Sequence, residues 1–424
     1  IGGLIGLISC MANSSSKTTE LKNSYSTTNI MASLGNTTSI VGGIIGCSRH
    51  VKISNTYVVG KINTTGNNAK VAGIVSENIG NTTITNPYCA TEICGVGSYS
   101  SDRLLQEMLY KDCYKSWDFT NVWTIDENGG SLPYLRELDK PSNITKENYD
   151  YIKYEGSGTV QDPFVIDTAE KLQNLVNTSG QANYKMTQDI DMSGIEGFKP
   201  IGRNDSKAFQ GTFDGNEHKI SNLSIESSES YVGLFGYTNG AIIKNLTLEN
   251  VSVKGNINGV LYIGALAGYS NYSNIQNIKL IGDNNVIENT GNTTYLYEGG
   301  LVGIKYLGNV NSCDVTVNIK GNPSTVGKKI GGLIGESANS ISKSTAKGKI
   351  INNSTQDVDE NIGGLVGYSI GNINTSYSNV NIESNSQGNI GGLIGSFIGY
   401  NAIVEKTYSM GSIKVNIESG RSNI

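Results

Sequence analysis

The sequence predicts an all-β fold: a right-handed parallel β-helix (β-solenoid), with two solenoid units in tandem and small α-containing capping segments. Three observations carry this reading. Glycine stands far above its usual share of roughly 7%, at 53 of 424 residues, with only 6 Pro. A glycine-rich hexapeptide, [IVY]-[GA]-G-[LI]-[VIF]-G, returns about every 30 residues. Between its copies run two further short segments that alternate apolar and polar residues, the period of a strand. The glycines have no three-residue period, which excludes collagen, and Ile, Val and Leu recur too regularly for a disordered chain. Charged residues are 16% of the chain, below the roughly 25% of an ordinary domain, so Asn, Ser and Thr must carry much of the surface.

The chain opens on IGGLIGLISC, an apolar stretch ending in Leu-x-x-Cys at Cys10, as a lipoprotein signal does. Near-identical strings recur at Ile330 and Ile390 and no basic stretch precedes it, so it reads as a repeat unit. The last residues, Ser422-Asn423-Ile424, match Gly388-Asn389-Ile390 before a later GGLIG; a segment of a longer protein is expected. Aligned on its final residue, the motif falls at Gly6, Gly46, Ser76 (degenerate, VAGIVS), Gly236, Gly268, Gly303, Gly335, Gly367 and Gly395. The spacings are 40 and 30, then, after a gap, 32, 35, 32, 32 and 28. Its inner glycines are Gly3, Gly43, Gly73, Gly233, Gly264, Gly300, Gly332, Gly364 and Gly392. Both sets are expected to let adjacent coils approach and turn without a Cβ clash.

The second segment of each unit is Leu21 to Tyr25, Ile53 to Tyr57, Ile243 to Thr247, Ile373 to Tyr377 and Val404 to Tyr408; the third includes Ile62, Val251 to Val253, Ile350 and Ile413. Three strands per coil describe a triangular solenoid. Asn23, Asn55, Asn245 and Asn277 recur at one corner, where Asn tolerates left-handed backbone and can bond its equivalents above and below. Tyr25, Tyr57, Tyr377 and Tyr408 are expected to stack from rung to rung.

Residues 1–97 read as the last coils of a first solenoid, and 98–138 as a closing cap plugging its open end. In that cap, Ser101 to Leu109 has helical spacing and Trp117 to Trp123 reads as an aromatic strand. Residues 139–153 read as a polar linker. Residues 154–230 form the opening cap and first strands of a second solenoid, with a helix from Thr168 burying Leu172, Leu175 and Val176; coils fill 231–424.

The GG[LI][VI]G repeats resemble those of GLUG-motif proteins. The segment from Gly156 through Pro163-Phe164, Tyr184 to Met186, Asp189 to Asp191 and Phe209 to Asn216 to Gly236 is similar to the opening of such domains, and Trp117 to Leu135 to their end. The resemblance implies architecture and a secreted or cell-surface, adhesin-like setting. Some relatives accompany IgA proteases, but the resemblance supplies no catalytic residues.

Net charge is −5 and there is no block of five basic residues, so nucleic acid is not an expected partner. No run of 18 apolar residues spans a bilayer. His50 and His218 are the only histidines and HExxH is absent, so a Ser-His-Asp triad or His-based metal site has little to build on. Because parallel β-helices also carry polysaccharide lyases, Asp189, Asp191, Asp214 and the Asp357, Asp359, Glu360 run are candidates for acid/base or Ca²⁺ groups; cap and turn roles are preferred. Cys89, Cys94 and Cys113 are candidates for a disulfide, with buried thiols the alternative. Sequons at Asn36, Asn63, Asn81, Asn143, Asn245 and Asn292 matter only in a glycosylating host.

The expected function is a non-enzymatic structural segment of a large extracellular or cell-surface protein, a stalk, fibre or adhesin scaffold without cofactor, catalytic or metal site. Its expected partners are further solenoid units, copies of itself in filaments, and a glycan or host-surface ligand. A binding module on one solenoid face is the alternative reading, and a polysaccharide lyase or hydrolase a third.

Overall fold

The computed structural model describes residues 1–9, 19–33, 39–65, 69–94, 101–178, 180–321, 327–353, 360–386 and 388–416. The protein is nearly all β, 7% helical, and its parallel strands stack as β-solenoid coils, about 12 turns in all. Two compact units are present: Ile1–Gly158 with Asn177–Ala182, and Thr159–Val176 with Asn183–Ile424.

In the first unit, Val51–Val58 pairs in parallel with Thr19–Ser26 on one side and Thr83–Ala90 on the other. Ile5–Ser9, Ile45–Arg49 and Val75–Ile79 form a second sheet. Ile30–Ser33 pairs with Ile62–Thr65, and Ser39–Gly42 with Ala69–Ala72. A full coil therefore holds four strand segments where the sequence suggested three. The glycine motif is not one strand but a corner between two sheets. Gly332 shows why the corner excludes side chains: a Cβ there would lie 2.2 Å from the carbonyl oxygen of Gly364, one coil on.

The second unit opens with Phe164–Ile166 beside Asn183–Met186, which pairs in turn with Thr212–Asp214. The helix Ala169–Asn174 is capped by Thr168, whose Oγ1 accepts the Lys171 N–H at 3.2 Å. It buries Leu172, and Leu175 just beyond it is buried too. Two six-stranded parallel sheets then flank the Gly-Gly corner, and a nineteen-stranded sheet carries the rest of each coil. Ile243, Ile275, Val310, Ile341 and Ile373 stand in register from coil to coil and are all fully buried, one column of the interior.

The long strand of each coil bends at a single left-handed residue. Asn23, Asn55 and Asn86 hold this place in the first unit, and Asn245, Asn277, Ser312, Lys343, Thr375 and Lys406 in the second, all with φ between 49° and 55°. Where Asn occupies it, the expected ladder forms. Asn55 Nδ2 donates to Asn23 Oδ1 and Asn86 Nδ2 to Asn55 Oδ1, both at 3.2 Å. Asn277 Nδ2 donates to Asn245 Oδ1, and Asn245 Nδ2 to Asp214 Oδ1, both at 3.0 Å.

The closing segment departs from expectation in three places. Ser101–Arg103 is a strand, paired in parallel with Tyr88, Cys89 and Ala90; the helix is confined to Leu105–Met108, with Glu107 Oε2 accepting the Leu104 N–H at 2.9 Å. The exposed edge of Thr83–Ala90 thus recruits residues whose spacing alone favoured helix. Trp117 to Val122 is a turn, because Asp118 accepts the N–H groups of Thr120 and Asn121, both at 2.9 Å. Only Trp123–Thr124 is strand, antiparallel to Tyr134–Leu135. Residues 139–153 are no free linker: Ile144 is fully buried, its carbonyl accepts the Leu132 N–H at 2.8 Å, and Tyr149 and Tyr151 pack on the same core.

Nor is this segment only a plug. Tyr25, Tyr57 and Tyr88 form a register column across three coils. Tyr57 joins the aromatic cluster of the closing segment, while the adjacent Val58 joins a separate solenoid core. Trp123 meets Tyr25 and Tyr57 at centroid distances of 6.1 and 6.2 Å, and Trp117 meets Tyr88 at 5.7 Å. The segment lies along the flank of the coils, and Tyr57 Oη donates to the Pro133 carbonyl at 2.6 Å.

Candidate functional site

The acidic residues singled out by sequence are committed to turns. Asp189 Oδ1 accepts the Lys219 N–H at 3.1 Å and lies 3.2 Å from His218 Nδ1. Asp191 accepts from Asn222 Nδ2 at 2.8 Å and from the Ser193 N–H and hydroxyl, each at 3.0 Å. The Lys219 N–H chiefly holds the Asp189 carboxyl below the usual carboxylate range, and Asn222 chiefly does so for Asp191. Partial burial of Asp214 works the other way, but the Asn216 N–H, Asn245 and Lys244 together still hold its carboxyl low. Groups fixed in the ionised form are poor general acids. Among the described residues no three His, Cys, Asp or Glu side chains come together as metal ligands. Asp357 and Asp359 lie outside the described residues, as do Cys10 and Asn36.

Cys89 and Cys94 are bonded to each other, whereas Cys113 is a free thiol that burial pushes up to about 12. Asn63, Asn81, Asn143 and Asn292 are exposed; Asn245 is a ladder rung, where a glycan would break two hydrogen bonds.

Tyrosines on the flanks of the glycine corner escaped the sequence reading. Tyr231, Tyr262 and Tyr297 stack at 5.0 Å from coil to coil before the corner, and Tyr237 stacks on Tyr269 at 4.8 Å after it. The two columns meet edge to face, with Tyr262 and Tyr269 5.5 Å apart. Lys329 closes the first column, its ammonium 5.3 Å from the Tyr297 ring and 4.5 Å from Tyr368. Ring faces used up in this way leave little platform for a sugar ring. The signal was legible as Tyr repeated immediately before and after the motif in its first coils. The expected stacks are present as well: Tyr25 on Tyr57 at 4.9 Å, and Tyr377 on Tyr408 at 4.8 Å.

Charge is also buried inside the second unit. Lys328 and Glu360, adjacent in register, point into the interior with no side-chain exposure, their charged ends 3.2 Å apart. Asn352 joins them, accepting from Lys328 Nζ at 3.0 Å and donating to Glu360 Oε2 at 3.2 Å. Glu298, fully buried, has no hydrogen-bond partner for either carboxylate oxygen among the described residues. Burial pushes its carboxyl well above the usual range, outweighing the opposite pull of Lys328. Lys305 is equally buried, and burial pulls its amine down to about 7; it donates to the Leu307 carbonyl. Comparing coils would have revealed Lys328 and Glu360, which take the place of Leu261 and Leu296.

The described residues also form a surface depression. A groove of about 680 Å³ runs over the long-strand face of the second unit, lined by Asn, Gln and Ser side chains over buried Ile275 and Ile341.

No known family profile matches the chain. It is 37% identical over 165 residues to halomucin of Haloquadratum walsbyi, covering 35% of this chain and 2% of that protein. It is 33% identical over 135 residues to a protein named as a Gly-rich membrane protein of Evansella cellulosilytica, covering 30% of this chain and 15% of that one. The chain thus spans only a small fraction of either relative. A crystal structure of a protein named as an immunoglobulin A1 protease from Bacteroides ovatus aligns with TM-score 0.37 and 18% identity, over 61% of this chain and 86% of that chain. That likeness is too weak to carry an inference about activity.

Proposed function

We propose that this chain is a non-enzymatic structural segment of a large cell-surface or secreted protein, a GLUG-type solenoid serving as stalk, fibre or adhesin scaffold. The observation that carries the reading is where the polar groups go. Asn ladders, ionised turn aspartates and tyrosine stacks tie many of the coils to their neighbours, so these polar side chains are used to build the rod. A solenoid with mucin-named and membrane-named relatives fits a surface role. With ladder spacing of about 4.8 Å per coil, the coils from Gly236 onward supply roughly 30 Å of reach. Antibodies raised against this segment should label intact cells, and electron micrographs of the parent protein should show rods or filaments. Compact globular particles, or labelling only after lysis, would refute the proposal.

A further inference from the structure

The groove on the long-strand face has a chemistry that scaffolding does not require. Its rims are two outward columns of the solenoid: Ile242, Asn274, Asn309, Ser340 and Asn372 on one side, and Gln276, Asn311, Ser342 and Asn374 on the other. None of these is charged. In the first unit, aligned on the left-handed corner residue, the same two columns carry Glu20, Lys52 and Thr83, and Lys22, Ser54 and Thr85; Lys52 and Glu20 form an ion pair at 3.8 Å. Charge is therefore permitted in these two columns, yet neither column carries any in four successive coils of the second unit, between Lys244 and Glu405.

The amides are also oriented. Asn274 Oδ1 accepts the Asn309 N–H at 3.1 Å and Asn372 Oδ1 accepts the Ile403 N–H at 2.8 Å, each from the following coil. Each Nδ2 group is left without a partner among the described residues, so donors are presented at fixed places before any ligand arrives. Gln276 and Asn309 are exposed, and their side chains make no hydrogen bond among the described residues. The volume is in the range of ligand sites; Ile242 supplies exposed apolar surface at one end, while Ile275 and Ile341 turn their side chains into the solenoid interior and leave the floor to backbone.

We infer that this groove binds a neutral linear polysaccharide lying along the solenoid axis. An amide offers a donor and an acceptor side by side, matching two neighbouring ring hydroxyls. A site repeated once per coil suits a polymer better than a compact molecule. An anion would find no cation in the lining, and a peptide strand would find no free ladder edge, because the long strands are already paired on both sides. The inference goes beyond the structural role and does not depend on it.

The test is a glycan array of neutral and anionic polysaccharides probed with the full chain, followed by calorimetry on the best hit. Saturable binding to a neutral linear glycan, insensitive to high salt, is expected. The pair Gln276→Ala and Asn309→Ala removes exposed groups with no structural partner, so melting should be unchanged while affinity falls about tenfold. Gln276→Ala alone should give a smaller loss, and Lys52→Ala in the first unit none. Absence of any neutral hit, binding confined to anionic glycans and lost in salt, or binding that survives the double variant would each overturn the inference.

Discussion

Gly332→Ala tests the packing rule on which the coil rests. The new methyl carbon would stand 2.2 Å from the Gly364 carbonyl oxygen, 2.9 Å from Ala346 Cβ and 3.0 Å from Val380 Cγ2. A carbon and a carbonyl oxygen settle at roughly 3.3–3.6 Å, so the two coils must separate locally by about 1 Å. The backbone bonds at risk are Gly332 N–H to Gly363 O at 3.3 Å and Leu333 N–H to Leu365 O at 2.9 Å. Overpacking costs about 1–3 kcal/mol, and each of the two weakened bonds adds about 1 kcal/mol, giving a total of roughly 3–5 kcal/mol. Solenoids can open in sections, so amide hydrogen exchange is the appropriate assay. Protection at Leu333 and Ile334 should fall by about two orders of magnitude or more, since about 1.4 kcal/mol is a factor of ten. Gly194→Ala, where a Cβ meets nothing within 4 Å, should stay within about 0.5 kcal/mol of the parent. Unchanged protection in Gly332→Ala would refute the close-approach account of the motif.

Lys305→Met should stabilise the second unit. The folded amine titrates at about 7 and an unfolded lysine near 10.4, so the parent's deficit is fully present below pH 7 and fades as pH rises toward the unfolded value. The gain, on the order of 5 kcal/mol at most, should be visible in denaturant midpoints at pH 6 and nearly absent at pH 10. Glu298 acts with opposite sign: its carboxyl is raised by burial, so the stability it contributes is full below about pH 4.3 and lost as pH rises toward the folded value. Glu298→Gln should remove that slope, read from midpoints between pH 5 and 7. Lys328→Met should cost about 3–5 kcal/mol by stranding Glu360, and Glu360→Leu in the same chain should restore most of it. Thr375 is a β-branched residue at φ 49°, a conformation costing about 1–2 kcal/mol; Thr375→Asn should raise the unfolding free energy read from denaturant titration by about 1 kcal/mol, whereas Asn245→Thr should lower it by more than that, because it also breaks the ladder.

Repetition made much of this architecture readable before any coordinates. Gly332 and its equivalents, the Asn23 and Asn55 corner and the Tyr377 and Tyr408 stack each recur once per coil, so one physical explanation served many positions. What repetition could not show is what happens once. Ser101–Arg103 became a strand because an open edge stood beside it, and Ile144 was buried because the chain folds back on its own cap; both depend on neighbours distant in sequence. Lys328 and Glu360 break an apolar column, and a single substitution in an irregular repeat is hard to tell from a loop residue. The uncharged groove is a property of four coils side by side, so no single copy of the repeat displays it.

The Trp-rich segment on the flank of the first unit has a mechanical consequence. Hydrogen bonds between coils point along the stacking direction, so a pull in that direction loads the coil interfaces in series, and the weakest one sets the strength. Tyr25, Tyr57 and Tyr88 belong to three different coils but press against the same pair of indoles. Tension across these coils is therefore shared between the ladder and an external splint. Neither interface can part until the aromatic contacts spanning it have also slipped, which turns a stack of separable coils into a block that yields as one.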